Sequence, residues 1–211
     1  MKSVSIVDYG MGNLLSMQRA LEKNGAQVLI ASNPEQILKS EKLVLPGVGA
    51  FPDGMDELVK RGMVPAIQEY VNTGKILLGV CLGMQMLFQE SEEMKRTDGL
   101  GLIEGKVVKF PHNQKSGKIN KIPHVAWTQI EPVEISWKKT FLDGIEANSF
   151  MYFVHSYYVT PVSDLNILAQ SPFGDFYFCS ATVHQNVWGT QFHPEKSGEI
   201  GLQIINNLIK H

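Results

Sequence analysis

The chain has 211 residues, 44% of them hydrophobic and 19% charged, and a formal net charge of -2. That composition is the one expected of a soluble globular protein with a single large core. It offers no field to gather nucleic acid or an anionic membrane surface, and no apolar run approaches the roughly 20 residues of a membrane span. Two cysteines, Cys81 and Cys179, are too few for a disulfide framework, and Lys2 comes too early for a signal peptide, so a cytoplasmic location is expected.

The first half of the chain alternates short apolar runs with helical patterns. Val4–Val7 reads as a strand, followed by a helix capped by Asn13, running through Lys23 and stopped by Gly25. Val28–Ala31 is a second strand, with a short helix from Pro34 to Lys39, and Lys42–Leu45 a third, ended by Pro46-Gly47. Helical spacing then covers about Asp53–Arg61 and Val64–Thr73. The strand Ile76–Val80 leads to a helical pattern over Gly83–Gln89. Strands alternating with helices imply a parallel sheet covered on both faces, with a site beyond the carboxyl ends of its strands.

From about Leu102 the character changes. Lys106–Phe110, Phe150–Val154, Ile167–Ala169, Phe176–Val183 and Val187–Phe192 read as shorter, antiparallel strands, and an amphipathic helix spans Ile200–Ile209. No internal repeat or linker interrupts the chain. The expectation is a single α/β domain over 1–211: a mostly parallel sheet flanked by helices, with an additional antiparallel β portion in the C-terminal half. The lysines of 106–121 read either as a solvated loop face or as an edge near a phosphorylated ligand or an acidic partner.

The chemistry concentrates at Gly79-Val80-Cys81-Leu82-Gly83, directly after the apolar Ile76-Leu77-Leu78. A Gly-x-nucleophile-x-Gly segment between a buried strand and a helix is a nucleophile elbow, whose tight turn thrusts the side chain above the sheet edge. A helix beginning after Cys81 presents unpaired N–H groups to the sulfur and favours thiolate. Near the C-terminus, His193-Pro194-Glu195 supplies a base and, at spacing i, i+2 on an extended segment, a carboxylate to orient it. The reading is a Cys-His-Glu acyl-transfer site. Its oxyanion donors are expected from the amide of Leu82 and from Pro46-Gly47-Val48-Gly49, each donor worth roughly 3 kcal/mol of barrier.

Other motifs are weaker. Gly10-Met11-Gly12-Asn13-Leu14-Leu15 has Leu15 where a dinucleotide loop carries its third glycine, and no phosphate-binding Gly-Lys-Ser/Thr loop occurs. The six histidines are scattered, without Cys-x-x-Cys or His-x-x-x-His pairs, so no metal or cofactor is expected. Cys179 reads as a core thiol.

These motifs resemble the class I (triad) glutamine amidotransferases, with Gly79–Gln85 as nucleophile motif and His193-Pro194-Glu195 as base-and-orienter motif. Within that family the chain is similar to the glutaminase subunits of imidazole glycerol phosphate synthases, through Asp8–Asn13, Pro46–Gly49, Pro123–Trp127, Tyr152–Tyr157 and His193–Ser197. The resemblance implies that L-glutamine is hydrolysed through a thioester on Cys81, with His193 as general base and acid and Glu195 as orienter. It implies an oxyanion hole at Val48, Gly49 and Leu82, and a glutamine pocket lined by Gly47, Gly49, Gln85, His155, Ser156 and Tyr157. Asn13, Trp127, Tyr152 and Lys196 are implied to face a (β/α)8-barrel cyclase subunit, which takes the ammonia and converts PRFAR to imidazole glycerol phosphate and AICAR. Trp127 and Tyr152 read equally well as core residues. A partner also follows from chemistry, because ammonia released into neutral water is mostly protonated and no longer nucleophilic. An ammonia-supplying paralogue for a surface-polysaccharide sugar amidotransferase would carry the same triad, and a free-standing cysteine hydrolase is a further alternative. Ala126 stands where relatives often have glycine before the tryptophan.

Overall fold

A computed structural model describes residues 2–211. In chain order the elements are β1 (Ser3–Val7), α1 (Leu14–Lys23), β2 (Gln27–Ala31), α2 (Pro34–Lys39), β3 (Leu43–Gly47), α3 (Phe51–Lys60), α4 (Met63–Asn72), β4 (Leu77–Cys81) and α5 (Leu82–Met86). They continue with β5 (Phe88–Ser91), β6 (Thr97–Asp98), β7 (Ile103–Lys109), β8 (His124–Gln129), β9 (Glu131–Pro132), β10 (Phe150–His155) and β11 (Tyr157–Pro161). The last are β12 (Ile167–Phe173), β13 (Phe176–His184), β14 (Val187–Thr190) and α6 (Gly198–Lys210).

The main sheet has eight strands in the order β2-β1-β3-β4-β14-β13-β12-β9. β2, β1, β3, β4 and β14 run parallel, and β13, β12 and β9 continue the sheet antiparallel. The fold is the expected mixed α/β architecture. β4 lies at its centre and is buried at every position, as a parallel strand covered on both faces must be. One face packs α1 and α6 through Met17, Leu21, Ile204 and Leu208 against Val4, Ile6, Val44 and Leu78. The other packs α2, α3 and α4 through Ile37, Met55, Leu58 and Ile67 against Val7, Leu43, Leu45 and Leu77. The alternation along β1 and β3 assigns each apolar side chain to one core or the other. Two smaller sheets flank this body: β11-β7-β5-β6, and the antiparallel pair β10-β8.

Local sequence explains the helix starts. The Asn13 side chain accepts from the Ser16 N–H at the start of α1, and Asn33 accepts from the Gln36 N–H ahead of Pro34 in α2. Three expectations need correction. The Val187–Phe192 segment is not wholly antiparallel: β14 inserts beside β4 and runs parallel to it. The helix after the elbow ends at Met86, because Phe88 is drawn into β5 and pairs with Ile103. β3 does not stop at Leu45 but carries Pro46 and Gly47 to the strand end, where the Pro46 carbonyl accepts from the Tyr9 hydroxyl at 2.9 Å.

Among the described residues no helix is long and apolar enough to cross a membrane, and no group of three or more His, Cys, Asp or Glu side chains is placed to hold a metal ion.

Candidate active site

Three neighbouring parallel strands end side by side. Gly47 of β3 is opposite Cys81 of β4, and Thr190 of β14 is opposite Val80. The segments that leave these ends therefore converge: Gly47–Gly49 on one flank, Gln191–His193 on the other, and Cys81 between.

Cys81 adopts φ 55° and ψ -110°, a strained conformation for a residue with a Cβ. The turn is possible because its flanks are glycine. A Cβ on Gly79 would lie 2.6 Å from the Gly83 carbonyl oxygen, and one on Gly83 would collide with the Leu45 carbonyl. The strain aims the sulfur into a cleft of about 350 Å³. Cys81 is only 7% exposed.

His193 faces the same cleft and is 2% exposed. Its Nδ1 is 2.8 Å from Glu195 Oε1, which fixes the ring, and its Nε2 has no hydrogen-bond partner. Burial alone would disfavour the imidazolium, but the adjoining Cys81 sulfur and Glu195 outweigh it and raise the His193 pKa to about 10. The segment is stitched to β10 by backbone and hydroxyl. The His193 N–H donates to the Tyr152 carbonyl, the Tyr152 N–H to Ser197 Oγ, and the Ser197 hydroxyl to the His193 carbonyl.

Val48, Gly49 and Leu82 border the cleft beside Cys81. Gly49 has φ +104°, a value open to glycine and costly for other residues. Gly47 lies behind them, where a Cβ would meet the Tyr9 hydroxyl and Leu82, and it does not line the cleft. Gln85, His155, Ser156 and Tyr157 form the opposite wall. The Gln85 Nε2 donates to the Tyr157 carbonyl and to Gln191 Oε1, each at 3.0 Å. His155 places its Nδ1 2.7 Å from the Tyr157 carbonyl, and burial lowers its pKa to about 3, so the ring is neutral and serves as a donor there.

Two residues in this region escaped the sequence reading. Glu93 lines the cleft, its carboxylate accepting from the Phe51 N–H at 2.8 Å, and burial raises its pKa above the usual carboxylate range. Nothing in Ser91-Glu92-Glu93 distinguishes it from a solvated charge pair. Gln191 had a signal: it stands two residues before His193 on an extended segment, hence on the same side.

Of the expected interface residues, Trp127 and Tyr152 share one surface. β8 and β10 pair Trp127 with Tyr152, Val125 with Val154 and Gln129 with Phe150. Cross-strand partners share a face. On it Val125, Trp127, Phe150 and Val154 are exposed, Trp127 by 53%, while His124, Met151, Phe153 and His155 turn into the core. The rings of Trp127 and Tyr152 meet edge-on at 6.0 Å. Val154 also borders the cleft, so the apolar face begins at its mouth. Lys196 and Asn13 are exposed, Asn13 with its side-chain oxygen committed to capping α1. Lys106, Lys109, Lys115, Lys118 and Lys121 are exposed and line no part of the cleft.

The family model for glutamine amidotransferase class-I matches residues 5–211. The chain belongs to the class-I glutamine amidotransferases. It is 44% identical over 206 residues to the imidazole glycerol phosphate synthase subunit HisH of Syntrophotalea carbinolica, covering 97% of this chain and 98% of the relative. It is 47% identical over 210 residues to the subunit of the same name from Methanosarcina barkeri, covering 99% and 98%. Among solved structures, PurLQS from Thermotoga maritima superposes with a TM-score of 0.73 at 20% identity, covering 100% of this chain and 99% of that one. A further glutamine amidotransferase crystal structure gives 0.71 at 18%, covering 99% of each chain. These two likenesses bear on the fold: the class-I amidotransferase architecture extends over the whole chain.

Proposed function

We propose that this amidotransferase is the glutaminase subunit of imidazole glycerol phosphate synthase in histidine biosynthesis, a single cytoplasmic domain working in a heterodimer with a cyclase. The observation that carries the reading is the cleft itself, with a strained Cys81 and a Glu195-paired His193 on its walls and an apolar surface starting at its rim. Relatives at 44% and 47% identity over nearly their whole length supply the name of the reaction.

The chemistry follows from the groups present. The Cys81 sulfur attacks the side-chain amide carbon of glutamine, and charge develops on the amide oxygen beside the Leu82 amide and the Val48–Gly49 backbone. Each such donor contributes roughly 10²–10³ in rate. His193 enters this step as the imidazolium, and its Nε2 gives a proton to the departing nitrogen, which leaves as ammonia. A thioester remains on Cys81. Acylation removes the sulfur's negative charge, one of the influences that raise the His193 pKa. The imidazole then serves as base for the water that releases glutamate. In the ground state Glu93 offers a carboxylate to the α-ammonium of glutamine, and Ser156 and Tyr157 in the facing wall receive its carboxyl end.

The acceptor reaction belongs to the partner. An apolar ladder of Val125, Trp127, Tyr152, Val154 and Phe150 at the cleft mouth fits a partner that seals the exit, so that ammonia travels onward without meeting bulk water. The partner is a (β/α)8-barrel cyclase acting on PRFAR. The test is reconstitution: the chain and cyclase together release glutamate from glutamine and convert PRFAR. Glutamate release without PRFAR turnover directs the same glutaminase chemistry to a different acceptor, that of the surface-polysaccharide paralogues.

A further inference from the structure

Gln191 is the first residue beyond β14, and the parallel pairing of β14 with β4 brings it beside Cys81. Its side chain is completely buried, and its Nε2 donates toward Cys81 Sγ at 3.8 Å. The orientation of this amide follows from its neighbours. The Tyr157 carbonyl can only accept, so the Gln85 group facing it at 3.0 Å is the nitrogen. The second hydrogen of that Gln85 nitrogen goes to Gln191, whose facing atom at 3.0 Å is therefore the oxygen. With its oxygen committed, Gln191 turns its N–H groups to the sulfur. An unbroken chain of donors and acceptors runs from Tyr157, in the wall of the cleft, to the nucleophile.

We propose that Gln191 is a positioning residue for Cys81: its amide N–H holds the sulfur in the orientation that faces the cleft and stabilises the charge sulfur carries before attack and on its release from the intermediate. The inference rests on the glutaminase reading and deepens it. His193 and Gln191 reach the sulfur from the same extended segment: His193 moves a proton, whereas Gln191 moves none. The Gln85–Tyr157 link adds a geometric consequence. A change in the backbone at Tyr157 alters where the Gln191 amide points, so the wall that receives substrate and the nucleophile share one alignment.

The experiment uses the full chain in complex with the cyclase, comparing wild type with Gln191→Met, which keeps the volume and removes the donor. Glutaminase kcat and KM are measured together with the rate at which iodoacetamide labels Cys81, and thermal melting and cyclase binding establish folding. The expected result is a kcat lowered on the order of tenfold or more, as for loss of a hydrogen bond to a charged group. KM for glutamine stays within about twofold, and Cys81 labelling slows in parallel. If Gln191→Met does not fold, Gln191→Asn, which keeps an amide too short to reach sulfur, takes its place with the same expectation. An unchanged kcat and labelling rate in a folded variant would overturn the proposal, as would a raised KM at full kcat, which marks a substrate contact. Failure of the wild-type complex to release glutamate would instead count against the glutaminase reading, because the labelling rate is independent of turnover.

Discussion

Gly47 and Cys81 stand directly opposite each other at the carboxyl ends of β3 and β4. The pairing sets the lateral position of the backbone that borders the sulfur, and it leaves no room for a side chain. A Cβ on Gly47 would overlap the Tyr9 hydroxyl and come within 2.9 Å of Leu82 Cβ. Gly47→Ala is therefore expected to lower stability by about 1–3 kcal/mol through overpacking, and to reduce glutaminase activity more than it reduces cyclase binding. Adding Tyr9→Phe removes the hydroxyl in the way and recovers part of the stability. Denaturant unfolding of both variants checks the pair, and an uncoupled double mutant would contradict the contact.

The His193–Glu195 pair gives stability a pH signature. The folded-state value of His193 is raised from 6.5 to about 10, so its contribution is complete below 6.5 and is lost as pH rises toward about 10. The stability difference between wild type and Glu195→Gln should accordingly be largest just below 6.5 and shrink as pH rises through that window. Imidazole NMR follows the same event: His193 stays protonated through neutral pH in wild type and titrates lower in the variant. Glutaminase activity should decline on the alkaline side as the imidazolium is lost.

The two thiols differ sharply. Cys179 is buried in β13, its Sγ–H donates to the Ala181 carbonyl at 3.3 Å, and burial raises its pKa well above the usual thiol range. Iodoacetamide should label the folded chain at Cys81 alone, with peptide mass mapping as the readout. Labelling of Cys179 in the folded state would mean that the β12–β13 region opens.

Trp127 sits exposed opposite Tyr152 on the face proposed to meet the cyclase. Trp127→Ala should weaken cyclase binding by about 2 kcal/mol or more, as loss of a central aromatic anchor does, while leaving the melting temperature of the isolated chain nearly unchanged. A large loss of stability with unchanged affinity would return Trp127 to a packing role.

The parallel half of this fold was legible because its signals are local. Asn13 and Asn33 cap their helices, Pro34 starts one, and glycines mark the elbow. Cys81, His193 and Glu195 were legible for the same reason, being defined by short spacings. What escaped depends on pairing across long separations. Nothing near Phe88 foretells that it leaves the helix to meet Ile103, and nothing near Val187 tells that β14 joins β4 in parallel. Glu93 went unseen because its place in the cleft comes from the segment after β5 meeting the start of α3, and no pattern along the chain records that.

The most direct test is glutamate release from glutamine by the chain–cyclase complex in the presence of PRFAR, with wild type against Cys81→Ala. Wild type should release glutamate robustly and the variant none above background, although the variant still binds the cyclase. Continued release by Cys81→Ala would contradict the role of Cys81 as nucleophile.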